Sequence, residues 1–224
     1  MTTNTTKTAK KGRATNEAVV RALLDRQRHT YAAEAGIRLR DTPAPLYQTL
    51  VLAILLSARI RADTGVSAAR ALFDAGLRDP RSMADATWQQ RVDALGEGGY
   101  RRYDERTSTL LGKGAELLLE RYGGDLRRLR EEPDPRAALM DIPGIGPTGA
   151  DIFLRDIQGV WPELAPRIDG KAQDGARRLG LPTAPEKLGG LVDGRELPRL
   201  ADGLVHAALD KHMADEVRDA AESA

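Results

Sequence analysis

Residues 139–152 read LMDIPGIGPTGADI. Apolar residues at helical spacing stand on both sides of Pro143-Gly144-Ile145-Gly146-Pro147. The run predicts two helices joined by a tight hairpin, a helix-hairpin-helix. Gly144 and Gly146 would permit backbone conformations closed to other residues, and without side chains they would let a phosphate approach the amides. Ile145 would plug the hairpin into the core. Pro147 suits the first turn of the second helix, where its missing N–H costs nothing. Exposed amides at the positive end of that helix would present donors to an anion. Such a contact reads phosphate and carries no base sequence. A plain Gly-rich turn between helices is the alternative, and the full run Ile-Pro-Gly-Ile-Gly-Pro, with helical pattern on both sides, weighs against it.

Outward from the hairpin, apolar residues recur at helical spacing. Val19, Val20, Leu23 and Leu24 fit a helix starting near Asn16, and Leu46–Ile60 is a nearly all-apolar helix expected at the centre of a core. Val66–Phe73, Trp88–Leu95, Tyr103–Tyr122 and Pro135–Met140 follow, punctuated by Gly76, Pro80, Gly98–Gly99, Gly123–Gly124 and Pro133. Alternating strand patterns are absent, so the expected class is all-α. After Val160, Pro162, Pro166, Pro182, Pro185 and Pro198 break the chain into short pieces. A closing amphipathic helix is expected from Leu197 through Met213. The change in texture predicts a central lobe over residues 45–157, and a second lobe built from both chain ends, residues 16–44 with 158–224. Residues 1–15 hold Lys7, Lys10, Lys11 and Arg13 and no acid. They are expected to be a disordered basic tail, either simply solvated or adding non-specific phosphate attraction.

The bulk numbers mostly exclude. With 34 basic residues against 33 acidic, the net charge of +1 gives no argument for nucleic acid, so any basic surface must come from distribution. Aromatic content of 4% speaks against a single-strand binder built on stacking platforms. No cysteine means no disulfide, no thiolate nucleophile and no Cys-ligated zinc or iron–sulfur cluster. His206 and His212 lie six apart and make a poor metal pair. No run of eighteen apolar residues occurs, and no apolar stretch follows the N-terminal basic residues. The expectation is a monomeric cytoplasmic, nucleoid-associated protein that does not enter a membrane.

Three further stretches stand in a telling order. Leu46-Tyr47 leads through Leu55-Leu56-Ser57-Ala58-Arg59; Gly99-Tyr100 precedes Arg106 in a long helix; Ile168-Asp169 lies 23 residues beyond Gly146 (169 − 146). With the hairpin, they resemble the helix-hairpin-helix DNA glycosylases, the superfamily that includes endonuclease III, over about residues 45–180. The first looks like that family's core helix and its LLSAQ turn, the second like its G-x-Y…K-A segment. The third stands where the family places its catalytic aspartate, at slightly longer spacing. The resemblance implies two helical lobes with a DNA-binding cleft between them, into which a target nucleotide is rotated out of double-stranded DNA. It also implies that the amides of Gly144, Gly146 and Thr148 hold phosphate. The backbone carbonyls of Met140, Ile142 and Ile145 would hold a monovalent cation.

Asp169 is then the candidate catalytic residue. A carboxylate beside the sugar stabilises an oxocarbenium-like charge or orients water. An ordinary helix N-cap is its competitor. Family members that also cut the strand use a lysine two residues after the hairpin's second glycine, to form a Schiff base. Here that residue is Thr148, whose hydroxyl forms no imine. Lys171 is the nearby replacement, or simply a surface lysine. The family's four-cysteine iron–sulfur loop is missing. The position of the glutamate that marks its adenine-specific branch falls on Ala53. Arg59 stands where many members insert a glutamine into the hole left by the flipped base, unless it is a surface arginine. Arg61 and Arg155 are further candidates for phosphate contact, and Tyr100, Tyr103 and Trp161 for stacking on an everted base, with core packing as their alternative. The expected function is a monofunctional DNA glycosylase without lyase activity. The alternative is a non-catalytic DNA-binding or lesion-recognition protein that keeps the fold.

Overall fold

A computed structural model describes residues 14–223. Of the tail expected over residues 1–15, residues 1–13 lie outside the described residues. Thirteen α-helices and no strand occur among the described residues: α1 (Asn16–Arg26), α2 (Tyr31–Glu34), α3 (Pro43–Leu56), α4 (Ala62–Asp74), α5 (Pro80–Asp85), α6 (Trp88–Glu97), α7 (Asp104–Tyr122), α8 (Pro135–Met140), α9 (Pro147–Ile157), α10 (Gly170–Leu179), α11 (Pro185–Gly189), α12 (Leu197–Leu209) and α13 (Lys211–Glu222). None is long and apolar enough to cross a membrane.

The apolar stretch at Leu46 becomes the central element. From Leu46 to Leu55 every residue of α3 but Gln48 is buried, and the helix packs against α4 and against α9. It starts earlier than its apolar run because Pro43 can occupy the first turn. It also stops earlier: Ser57 caps it, its Oγ donating to the Ile54 carbonyl at 2.8 Å. The α5, α6 and α7 helices close around one buried guanidinium. Arg91 on α6 donates to the carbonyls of Ser108, Met83 and Ala86 at 2.9, 2.9 and 2.7 Å, occupying donors that burial would otherwise leave unpaired.

The chain's two ends meet. Helix α1 packs on α12 and α13, and α10 packs along α12. That last crossing is close because Gly175 has no side chain: a Cβ there would lie 1.8 Å from the Leu204 carbonyl oxygen. One continuous apolar core runs through both groups of helices. The expected single closing helix to Met213 is two helices. Asp210, in extended backbone, ends α12, and its carboxylate accepts the amides of His212 and Met213 to start α13. An N-cap carboxylate in mid-run outweighs the apolar periodicity that continues across it. His206 and His212 therefore lie on different helices, with His206 stacked on Tyr31 at 4.6 Å. No cluster of His, Cys, Asp and Glu suited to a metal occurs among the described residues.

Candidate functional site

The hairpin lies between α8 and α9. Ile142 and Ile145 are buried, while Gly146, Pro147 and Thr148 are exposed. Among the described residues, no backbone carbonyl accepts from the amides of Gly144, Gly146 or Thr148, and all three lie at or before the first turn of α9. Donors at a helix start without partners are of the kind that can receive an anion. The two glycines have different reasons. Gly144 has φ +96°, which a residue with a side chain adopts only with strain. Gly146 has φ −98° and ψ −174°, ordinary extended backbone, so the expectation that it needs a glycine-only conformation is corrected. A Cβ at Gly146 would meet nothing within 4 Å. Its glycine matters only for what approaches from outside. Gly146→Ala is expected to shift stability by less than about 0.5 kcal/mol and to weaken duplex binding in a fluorescence anisotropy titration at low salt. Gly144→Val is expected to cost roughly 1–3 kcal/mol of stability through backbone strain as well. Equal loss of stability in both variants would contradict this.

Beside the hairpin a cleft of about 430 Å³ is lined by Ile54 and Ser57 at the end of α3, Arg59, Tyr100, Tyr103, Arg106 and Gly144. Arg59 is exposed on this wall. Tyr100 is only 2% exposed, its hydroxyl accepting from Thr107 Oγ1 at 3.2 Å, so it forms the floor. Tyr103 is half-buried with the Arg102 guanidinium 5.3 Å from its ring centroid. The fold thus gathers Arg59, the tyrosines and Gly144 from three distant stretches. Asp169 is not among the residues lining this cleft.

Asp169 stands instead at the start of α10, between a cap and a buried cation. Its Oδ1 accepts the Ala172 amide at 3.0 Å, and its Oδ2 lies 2.5 Å from Arg155 Nη1. The side chain keeps 11% exposure. Of the two expectations for this residue, the geometry shows the helix cap, and its other oxygen is held by Arg155. The expectation that Arg155 touches phosphate is corrected, because its side chain is 3% exposed. It projects from α9 into the protein, where Nε donates to Asp202 Oδ1 on α12 at 2.9 Å. Asp202 Oδ2 in turn accepts the Tyr31 amide at 2.8 Å. Asp156, also on α9, is buried, with neither carboxyl oxygen meeting a donor. Burial, reinforced by the neighbouring Asp202, pushes its carboxyl well above the usual carboxylate range and so favours the protonated form, whose hydroxyl can donate to Asp202.

The remaining candidates separate. Trp161 is fully buried, edge-on to Phe153, with Nε1 donating to Asp41 at 2.9 Å; it is core and cannot stack on an everted base. Arg61 is exposed and paired with Asp63 at 2.7 Å. Lys171 is exposed, its ammonium 3.4 Å from Asp174. Thr148 is exposed at the first turn of α9. Sequence reasoning missed Asp156 and Asp202 altogether. The signal was present, since each is an acid within an apolar helical run, Ile152–Ile157 and Leu200–Val205. A charge inside such a run needs a buried partner.

No protein-family model and no curated protein matches the sequence. Among solved structures, a non-covalent endonuclease III–DNA complex is 18% identical, with a TM-score of 0.50 over 86% of this chain and 85% of that one. A trapped endonuclease III–DNA covalent intermediate, the estranged-adenine complex, has the same identity and coverage with a TM-score of 0.48. At such identity the likeness is one of architecture: this all-helical chain is built on the fold of endonuclease III.

Proposed function

We propose that this protein is a monofunctional DNA glycosylase, which hydrolyses the N-glycosidic bond of a damaged or mismatched base in double-stranded DNA and leaves an abasic site. The observation that carries this reading is the row of unpartnered hairpin amides beside the cleft at Arg59 and Tyr100. A similar solved structure is a non-covalent endonuclease III–DNA complex, which supports DNA as the ligand. In this reading the amides of Gly144, Gly146 and Thr148 take a phosphate, and Arg59 enters the duplex where a nucleotide leaves it. The Asp169 carboxylate stabilises positive charge growing on the sugar or orients the attacking water.

The carbonyls of Met140, Ile142 and Ile145 suit a monovalent cation. They are neutral oxygens, and among the described residues no backbone amide reaches those of Met140 and Ile145. The Ile142 carbonyl accepts the Ile145 amide at 3.0 Å and keeps a second lone pair. A cation held there would add positive charge beside the phosphate.

Thr148 carries no amine for an imine, and the Lys171 ammonium is engaged by Asp174. Incubation with duplexes bearing single lesions or mismatches is therefore expected to release a base while the strand stays intact until alkali is added. Borohydride is expected to trap no covalent adduct. Strand cleavage without alkali, or a trapped adduct lost in Lys171→Ala, would overturn the absence of lyase chemistry. Failure of a broad lesion panel to release any base would overturn the enzyme reading. One observation favours a second reading, a lesion-recognition protein without chemistry: both Asp169 oxygens already have protein partners. It predicts binding to abasic-site duplex, sharply weakened by salt, with no turnover.

A further inference from the structure

We infer that Arg155 is a positioning residue that fixes the Asp169 carboxylate at a set distance from the phosphate-gripping amides of the hairpin; this rests on the base-excision reading above. Three observations lead there. First, Arg155 and the amides belong to one rigid element. Gly146 caps α9 and Arg155 lies nine residues on (155 − 146), so the two are separated by roughly 13 Å along the helix at 1.5 Å per residue. Second, the guanidinium is held at both ends of its fork. Nε donates to Asp202 and Nη1 to Asp169, at 2.9 and 2.5 Å, with the side chain 3% exposed. Asp202 is itself pinned by the Tyr31 amide and is fully buried. Third, Asp169 cannot turn freely toward Arg155, because its other oxygen caps α10 through Ala172.

The consequence is a mechanical link. A carboxylate at a helix start, carried on a segment containing Pro162 and Pro166, would otherwise take its position from α10 alone. Through Arg155 it takes its position from α9, the helix that also holds the phosphate. A planar five-donor fork can address two carboxylates in fixed directions, whereas a lysine ammonium is a point charge on a flexible stem. The two lone pairs of Asp169 that face neither Arg155 nor Ala172 remain for the sugar or the water.

The test compares wild type, Arg155→Lys, Asp169→Asn and the double variant, using a lesion duplex that the wild type processes and a duplex carrying an abasic-site analogue. Arg155→Lys is expected to bind the abasic duplex within about twofold of wild type while its single-turnover rate falls by about tenfold or more, as displacement of a reacting group does. The double variant is expected to be no slower than Asp169→Asn alone, because both changes remove one act. A general structural role would give losses that multiply. An unchanged rate in Arg155→Lys, or multiplied losses in the double variant, overturns the inference while leaving the glycosylase reading intact. A wild type that binds the abasic duplex and releases no base overturns both. Should Arg155→Lys not fold, Asp202→Asn loosens the other end of the fork, since one amide oxygen cannot serve both Arg155 Nε and the Tyr31 amide, and its rate and its coupling to Asp169→Asn decide by the same criteria.

Discussion

Asp169→Asn is expected to lower the single-turnover rate of base release by roughly 100-fold or more, the size of effect seen when one preorganised electrostatic stabiliser is removed. Binding to an abasic-site duplex should change little, since the hairpin donors of Gly144, Gly146 and Thr148 are untouched. The substitution is discriminating because Asn is as good an N-cap as Asp. The bond from the Ala172 amide can persist, so α10 keeps its start. With its single amide oxygen on the cap, Asn turns its NH2 toward Arg155, so the acceptor facing the guanidinium is lost together with the charge. Rapid-quench kinetics on a processed lesion, together with anisotropy on the abasic duplex, separate the two effects. Retention of the full rate would leave Asp169 as a cap and an ion-pair partner, and would assign the stabilisation of the sugar to another group.

The largest loss of stability is expected from Arg155→Met. Removing one partner of a buried ion pair typically costs about 3–5 kcal/mol, because the remaining charge is stranded. Here Asp202 would keep the Tyr31 amide and its neighbour Asp156 but no cation, and Asp169 only its cap. For a chain of this size that corresponds to a melting temperature lower by roughly 6–20 °C in a calorimetric scan. A shift of a degree or two would show that the cluster relaxes easily and that Arg155 is not its anchor. Asp156 should behave in the opposite sense. Its folded carboxyl titrates well above the ordinary value of 3.8, so the fold favours its protonated form. That contribution is complete below the unfolded value and is lost as pH rises through the folded one. Asp156→Asn, whose amide can donate to Asp202 at any pH, is therefore expected to raise the melting temperature at pH 7–8 and to raise it less at pH 4. An equal gain at both pH values would mean that Asp156 is not the proton carrier.

The sequence by itself determined the parts whose physics is local. Period-3.6 apolar patterning, with Gly and Pro punctuation, sufficed for the all-α class and most of the longer helices, to within a few residues at most ends, but not for α2, α5 or the break before α13. The hairpin was legible because Pro143–Pro147 pack a turn, a plug and a helix start into five residues. Thr148 was legible for the same reason: its position relative to Gly146 is fixed within the motif.

Only the tertiary structure decided what depended on distant partners. Whether Gly146 needs its φ, whether Arg155 faces solvent and whether Trp161 is available to a base all turn on packing that local spacing does not encode. The charged run at Arg155-Asp156 looks like any exposed pair until Asp202, 47 residues on, is brought against it. Burial then changes the meaning of the charge, since a guanidinium that would be hydrated at a surface must find carboxylates inside. So the hairpin could be read from residues 139–152 alone. The fixing of Asp169 to the same helix required the fold, because it is made by α9, α10 and α12, which local spacing does not bring together.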